Sequence, residues 1–247
     1  MRLTIAGCGD AFGSGGRFNT CFYLETVKGV LLIDCGASAL VAMKAIGLDP
    51  NRIDGIILSH LHGDHFGALP FLLLDAQFLA ARERPLLIAG PPGTRKRIEE
   101  AQEMFFPRSS RNKWHFAWHV QEIELQRPTD ILGHSVITTE VVHYSGAPST
   151  AVRVSDGKTI FAYSGDTQWT DALVPIADGA DLFIVECYAY SGEPPGHLTW
   201  SILRPRLKEL RAKRIMLTHM NPTMLERLEE VRAAGVLVAQ DGTSFEF

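Results

Sequence analysis

Three of the nine histidines in this chain fall within six residues, in Ser59-His60-Leu61-His62-Gly63-Asp64-His65. The segment follows the apolar run GIILS and precedes a helical pattern. Divalent zinc prefers imidazole nitrogen and carboxylate oxygen at about 2.0–2.2 Å, usually four ligands at a time. In an extended turn, residues i and i+2 project to one side, so His60 and His62 can grip one ion. Asp64 and His65 lie on the next bend and can reach a second, and Gly63 permits the tight backbone. The ordinary alternative is a run of solvated histidines with Asp64 capping a helix. This spacing, between a strand and a helix, favours metal.

Two ions need more ligands. His143 closes the run SVITTEVVH, Asp166 closes TIFAYSGD and His219 closes RIMLTH. Alone, His143 or His219 reads as a hydrogen-bonded strand-end histidine, but recurrence at the same structural place favours ligation. A carboxylate only accepts and can offer each oxygen to a different cation, which makes Asp166 the natural bridge. The expected cofactor is two divalent metal ions: zinc first, with manganese or iron also compatible with these ligand types.

These side chains must be positioned by the elements around them. Strand-like runs cover 2–7, 21–26, 29–34, 55–60, 85–90, 135–143, 150–155, 159–166, 181–187, 214–219 and 236–240. Helical patterns cover 38–47, 65–84, 92–105, 199–213 and 223–235, with Pro70 and Pro205 predicting a late start or a kink. Thr223 before Glu226 and Gly235 after the last apolar position predict the caps of the last helix. Residues 107–134 have weak periodicity and are expected to form a hairpin or a lid. The order of elements suits an α/β fold of two facing sheets with helices outside both, a four-layer αββα sandwich. No repeat stands out, so a single domain over 1–247 is expected.

The 247 residues are 46% hydrophobic and 21% charged, which excludes a disordered or collagen-like chain. The net charge, 24 − 28 = −4, disfavours a broad nucleic-acid footprint. Cys8, Cys21, Cys35 and Cys187 form no CxxC pair and read as free thiols of a reducing compartment. The opening MRLTIAGCGD lacks a basic run followed by an apolar stretch, and no window approaches the ~18 apolar residues of a membrane helix. A cytoplasmic location is expected, with no membrane partner.

In order along the chain, HLHGDH, His143, SGDT (164–167) and LTHM (217–220) resemble the metallo-β-lactamase fold superfamily. The resemblance spans essentially the whole chain and implies an αββα sandwich with a dinuclear metal site between the sheets. It implies that His60, His62 and His143 hold one ion and Asp64, His65 and His219 the other, with Asp166 bridging. LLIDCG (31–36) resembles an early strand-end motif whose Asp34 would hydrogen-bond a ligand imidazole.

Pro195-Gly196-His197-Leu198-Thr199 resembles an element of ribonuclease Z and related cyclic-phosphate diesterases. The resemblance gives His197 a place near the scissile phosphate, supported by Glu186 at the end of FIVEC. The implied activity is phosphodiester hydrolysis. Water activated by both ions attacks phosphorus, Asp64 orients it, and His197, held by Glu186, protonates the leaving alkoxide. The chain departs from ribonuclease Z in lacking a glycine-rich basic insertion and in carrying His219-Met220-Asn221-Pro222. A small or cyclic phosphodiester is therefore the expected substrate. Precursor-tRNA cleavage, lactone or thioester hydrolysis with the same site, and a metal-stabilised protein without turnover are the alternatives. Extended nucleic-acid binding is disfavoured and homodimerisation is left open.

Three further features invite a role. The loop 9–20 could border the pocket, with Phe12 and Phe18 as walls and Arg17 near an anion, although a plain hairpin connection is the simpler reading. Tyr144, Trp169, Tyr188 and Tyr190 follow ligand strands but read as packing. The cluster Arg204, Arg206, Lys208, Arg211, Lys213 and Arg214 reads as a solvated helix face.

Overall fold

In the computed structural model, which describes residues 1–109 and 111–247, the run from Cys21 to Ile33 shows why the apolar strands are nearly continuous. Phe22, Leu24, Leu31 and Ile33 face the interior between two sheets. Their neighbours Cys21, Tyr23, Val30 and Leu32 face helices on the outside. Side chains alternate across a strand, so a strand covered on both faces reads as unbroken hydrophobic sequence.

The first sheet is built from β1 (Arg2–Gly7), β2 (Cys21–Thr26), β3 (Gly29–Ile33), β4 (Gly55–Ile57), β5 (Leu86–Gly90) and β6 (Trp118–Glu122). The second contains β7 (Thr129–Ile131), β8 (His134–Glu140), β9 (Thr150–Ser155), β10 (Ile160–Tyr163), β11 (Leu182–Glu186), β12 (Ile215–Thr218) and β13 (Leu237–Val238). β14 (Ser244–Glu246) returns to the first sheet beside β1, giving the orders β14-β1-β2-β3-β4-β5-β6 and β13-β12-β11-β10-β9-β8-β7.

Helices α1 (Ala39–Ala45), α2 (Gly63–Phe66), α3 (Leu69–Phe78) and α4 (Thr94–Phe105) accompany the first sheet. Helices α5 (Leu173–Ala177), α6 (Trp200–Leu203), α7 (Pro222–Leu225) and α8 (Leu228–Ala233) accompany the second. The four-layer α/β sandwich expected from the element order is therefore what forms.

The topology places the functional loops. β3, β4 and β5 are parallel, and β1 runs the same way through two antiparallel steps. β10, β11 and β12 are parallel, and β8 shares their direction through β9. Candidate residues follow the carboxyl ends of these strands, where open α/β sheets form crevices.

Several expectations are corrected. The helix over 65–84 splits into α2 and α3, because Pro70, which lacks an N–H, sits in the first turn of α3. Residues 79–84 leave the helix: Arg82 is buried, and its guanidinium donates to the carbonyls of Asn51, Ile53, Arg84 and Pro85. Beyond α6, Pro205 tightens the chain into a 3₁₀ turn over Arg204–Glu209. Asn221, not Thr223, caps α7, its side chain accepting from Met224 N at 3.2 Å.

The 107–134 segment closes in a tight hairpin, β7 turning through Leu132 and Gly133 into β8 with Ile131 opposite His134; Ser110 within it lies outside the described residues. β6 pairs parallel to β5, and β7 pairs with β8, so this stretch carries the chain from one sheet to the other. β6, β7 and β14 went unread because their alternating or polar sequences carry little apolar signal; β6, for instance, is WHVQE. β8 and β10 end at Glu140 and Tyr163, so His143 and Asp166 lie in the loops that follow rather than on the strands. Among the described residues, no helix is long and apolar enough to cross a membrane.

Candidate metal centre

The turn after β4 is built around a buried carboxylate. Asp34, just past β3, adopts a left-handed backbone (φ 57°) that Asp tolerates better than most residues. Its Oδ1 accepts from Ser59 N at 2.7 Å, and its Oδ2 accepts from Ser59 Oγ and from His65 Nδ1, each at 2.7 Å. Ser59 Oγ, having given its proton to Asp34, accepts from His60 Nδ1 at 3.1 Å. One carboxylate thus fixes Nδ1 of both His60 and His65 as the protonated nitrogen and leaves each Nε2 lone pair free for a cation.

The other ligand candidates arrive from the second sheet. Ser59 O accepts from Thr150 N at 3.0 Å and Thr150 Oγ1 at 2.8 Å, tying the turn to β9. His143 donates from Nδ1 to Gly196 O at 2.8 Å, and its Nε2 lies 3.0 Å from His62 Nδ1. His219 is held by its own N–H to Cys8 O at 3.1 Å, in a left-handed conformation with φ 59°. Asp166 Oδ2 lies 3.2 Å from His65 Nε2, 3.2 Å from His219 Nε2 and 3.9 Å from His60 Nε2. Asp64 Oδ2 is 3.3 Å from His65 Nε2 and 3.9 Å from His219 Nε2.

The structure brings all seven expected ligands together, in two groups whose ligand atoms lie within 4.8 Å of one another: His60, His62, His143 and Asp64, His65, Asp166, His219. His60 Nε2, His65 Nε2 and Asp166 Oδ1 are buried and make no hydrogen bond. A buried polar atom without a partner is costly, and divalent cations on these lone pairs would remove the cost. The donor set, imidazole nitrogens and carboxylates, suits zinc and its first-row neighbours.

Electrostatics favour ligation by the first group. Burial pushes His60 well below the ordinary imidazole range, and it also lowers His62 and His143, which favours the neutral rings that bind metal. Burial would raise Asp166, but His219, His65 and His60 hold it well below the carboxylate range. His65 goes the other way, since Asp166, Asp64 and Asp34 outweigh its burial.

Beside the ligands, His197 Nδ1 lies 3.0 Å from Glu186 Oε1. Glu186 ends β11, is fully buried and also accepts from the backbone N–H groups of Thr167, Tyr188 and Leu198. Burial alone would lower His197, but the hydrogen bond and charge of Glu186 raise its pKa to about 9. His143, Asp166 and His197 are close enough to form a third group, which sets His197 at the edge of the ligand cluster. Tyr188 stacks on His197, with ring centroids 4.8 Å apart.

His62, Asp64, His143, Asp166, Tyr188, His197 and His219 line a cleft of about 610 Å³ together with Phe12, Pro194 and Pro195. Of the loop 9–20, Phe12 reaches the cleft, while Phe18 is not among its lining residues. Arg17 turns away, donating to Ala239 O at 3.0 Å, so it is not an anion contact. Tyr144 borders an adjoining depression, whereas Trp169 packs beneath Arg206 and Tyr190 bonds to Glu230. In the basic cluster, Arg204, Arg211 and Lys213 are ion-paired to Glu230, Asp178 and Asp181.

Sequence reasoning missed Ser59, whose place directly before His60 was its only signal, and the Gly196 carbonyl, which no side-chain pattern could reveal. It also missed Asp241, which accepts from the N–H groups of Cys8 and Phe18 and so fixes the end of β1 under His219.

The family described as the anti-Pycsar protein Apyc1 matches residues 1–243. The chain is 28% identical over 228 residues to the probable metallo-hydrolase YhfI of Bacillus subtilis, covering 89% of this chain and 87% of that protein. The crystal structure of YhfI, a metallo-β-lactamase fold protein, matches with a TM-score of 0.80 at 22% identity, covering 100% of this chain and 98% of the other. Similarity to the ribonuclease Z of Methanothermobacter thermautotrophicus is 24% over an alignment of 290 residues, covering 95% and 91%. The short form of human tRNase Z matches with a TM-score of 0.80 at 26% identity, covering 100% and 99%.

Proposed function

The chain belongs to the family of the anti-Pycsar protein Apyc1, a metal-dependent hydrolase on the ribonuclease Z-like branch of the metallo-β-lactamase fold, and from that premise we propose that it hydrolyses a small or cyclic phosphodiester. The observation that carries the proposal is the His197–Glu186 pair, 3.0 Å apart at the edge of the ligand cluster. A thioester hydrolase gains less from a strong proton donor, because a thiolate leaves without a proton whereas an alkoxide does not.

On this reading His60, His62 and His143 hold one divalent cation, Asp64, His65 and His219 a second, and Asp166 joins the two groups. When bound, the cations supply Lewis acidity to an anionic phosphoryl oxygen. Asp64, lining the cleft, accepts a hydrogen bond from the attacking water. Glu186 orients His197 through Nδ1 and keeps its ring protonated, so that Nε2–H faces the departing oxygen. His197 then gives up that proton as the P–O bond breaks.

The test is His197→Ala in metal-replete protein. Turnover should fall about 10²–10⁴-fold on alkyl diesters and far less on nitrophenyl esters, whose leaving group needs no proton, with metal content unchanged. Equal losses on both would remove the acid role. Running the wild-type protein on cyclic diesters, linear diesters, precursor tRNA and lactones decides among the substrates.

A further inference from the structure

Phe12 is a large apolar side chain held in water by design rather than by disorder. It is 83% exposed, yet its loop is pinned by a fully buried carboxylate. Asp10 Oδ1 accepts from Phe12 N at 3.2 Å and from Ser14 N at 2.8 Å, and Oδ2 accepts from Ser14 Oγ at 2.7 Å. Asn19 Nδ2 donates to Asp10 O at 3.0 Å, closing the base of the loop. Burying a Phe side chain is stabilising, and here that gain is forgone while a rigid support is built.

The place where the ring is presented gives it a use. Phe12 lines the same cleft as five of the candidate ligands, and the lining residues are of two kinds. His62, Asp64, His143, Asp166 and His219 contribute charge and imidazole, whereas Phe12, Pro194 and Pro195 contribute apolar surface. A phosphoryl group belongs with the first set, and the organic arm of the ester is left to the second.

We propose that Phe12 is a specificity-determining residue: it stacks against a flat, unsaturated ring on the organic arm of the substrate and selects such esters over those with a small aliphatic arm. This rests on the phosphodiester reading and adds a substrate class to it. Because the loop is already ordered, the contact costs little conformational entropy on binding, and an aromatic pair of this kind is worth roughly a three- to tenfold preference.

The experiment measures binding rather than turnover. Calorimetric titration of metal-loaded protein with 1-naphthylphosphonate and with methylphosphonate compares wild type, Phe12→Ala and Phe12→Trp. Phe12→Ala should weaken 1-naphthylphosphonate roughly three- to tenfold and methylphosphonate less than twofold, and Phe12→Trp should keep the wild-type preference. An alanine variant that weakens both ligands equally, or leaves the naphthyl compound unaffected, overturns the proposal. If the selectivity appears while wild-type protein hydrolyses no phosphodiester, the role of Phe12 stands and the phosphodiesterase reading fails.

Discussion

Asp34 accepts three hydrogen bonds without solvent contact, two from Ser59 and one from His65. Asparagine has one acceptor oxygen where Asp34 uses two, and its amide would meet a donor head-on. Partners of ligating imidazoles typically account for 10–100-fold in metal affinity, so Asp34→Asn should weaken binding by about that factor in a competition with a chelator. Undiminished affinity would mean that the carboxylate only packs the turn. Glu186 acts on its own imidazole in a related way. It raises His197 to a pKa of about 9, so the ring is protonated below that pH and loses its proton above it. Glu186→Gln removes the charge, and the alkaline limb of the pH–rate profile should move to lower pH. A limb that stays in place would assign it to another group.

At the scale of elements, the site depends on turns that bring backbones into contact. A Cβ on Gly36 would lie 2.1 Å from Asp64 O, so the turn after β3 and the start of α2 meet through a hydrogen-sized gap. Gly36→Ala should destabilise the fold by about 1–3 kcal/mol or more and loosen Asp64. A lowered denaturation midpoint together with reduced metal content would show both effects; a normal midpoint would show that the turn can relax. Gly165, with φ +61°, makes the corresponding turn before Asp166, where a Cβ would meet Thr150 O at 2.5 Å. Asn221 serves two elements, capping α7 with its side chain and donating its N–H to Tyr188 O at 2.7 Å.

For the whole molecule, the ligand set joins the two sheets. His60, His62, Asp64 and His65 follow β4 of the first, and His143, Asp166 and His219 follow β8, β10 and β12 of the second. A ligand that binds only the folded state stabilises it by mass action, about 2.7 kcal/mol at a hundredfold excess over Kd. Chelation should therefore lower the melting temperature, and Asp166→Ala should remove at least one bound ion and part of that increment. Unchanged metal stoichiometry in Asp166→Ala would separate this carboxylate from the cluster.

The spacing His60-x-His62-x-Asp64-His65 was legible because it is short-range: a turn of six residues fixes its own side-chain directions whatever surrounds it. The apolar runs were equally legible, since a strand buried on both faces must be hydrophobic throughout, and they gave both sheets and their order of appearance. Their exact ends were not, and His143 and Asp166 proved to lie beyond β8 and β10. The likeness of HLHGDH, SGDT and the Pro195–Thr199 segment to known hydrolases pointed to partners that spacing alone could not pair. Only the tertiary structure decided that Ser59 relays Asp34 to His60, that Arg17 turns to Ala239 O while Phe12 faces the cleft, and that residues 107–134 pass from one sheet to the other. Each of those outcomes depends on contacts between segments far apart in the chain, and such contacts are settled by packing and hydrogen-bond satisfaction in the assembled sandwich rather than by local pattern.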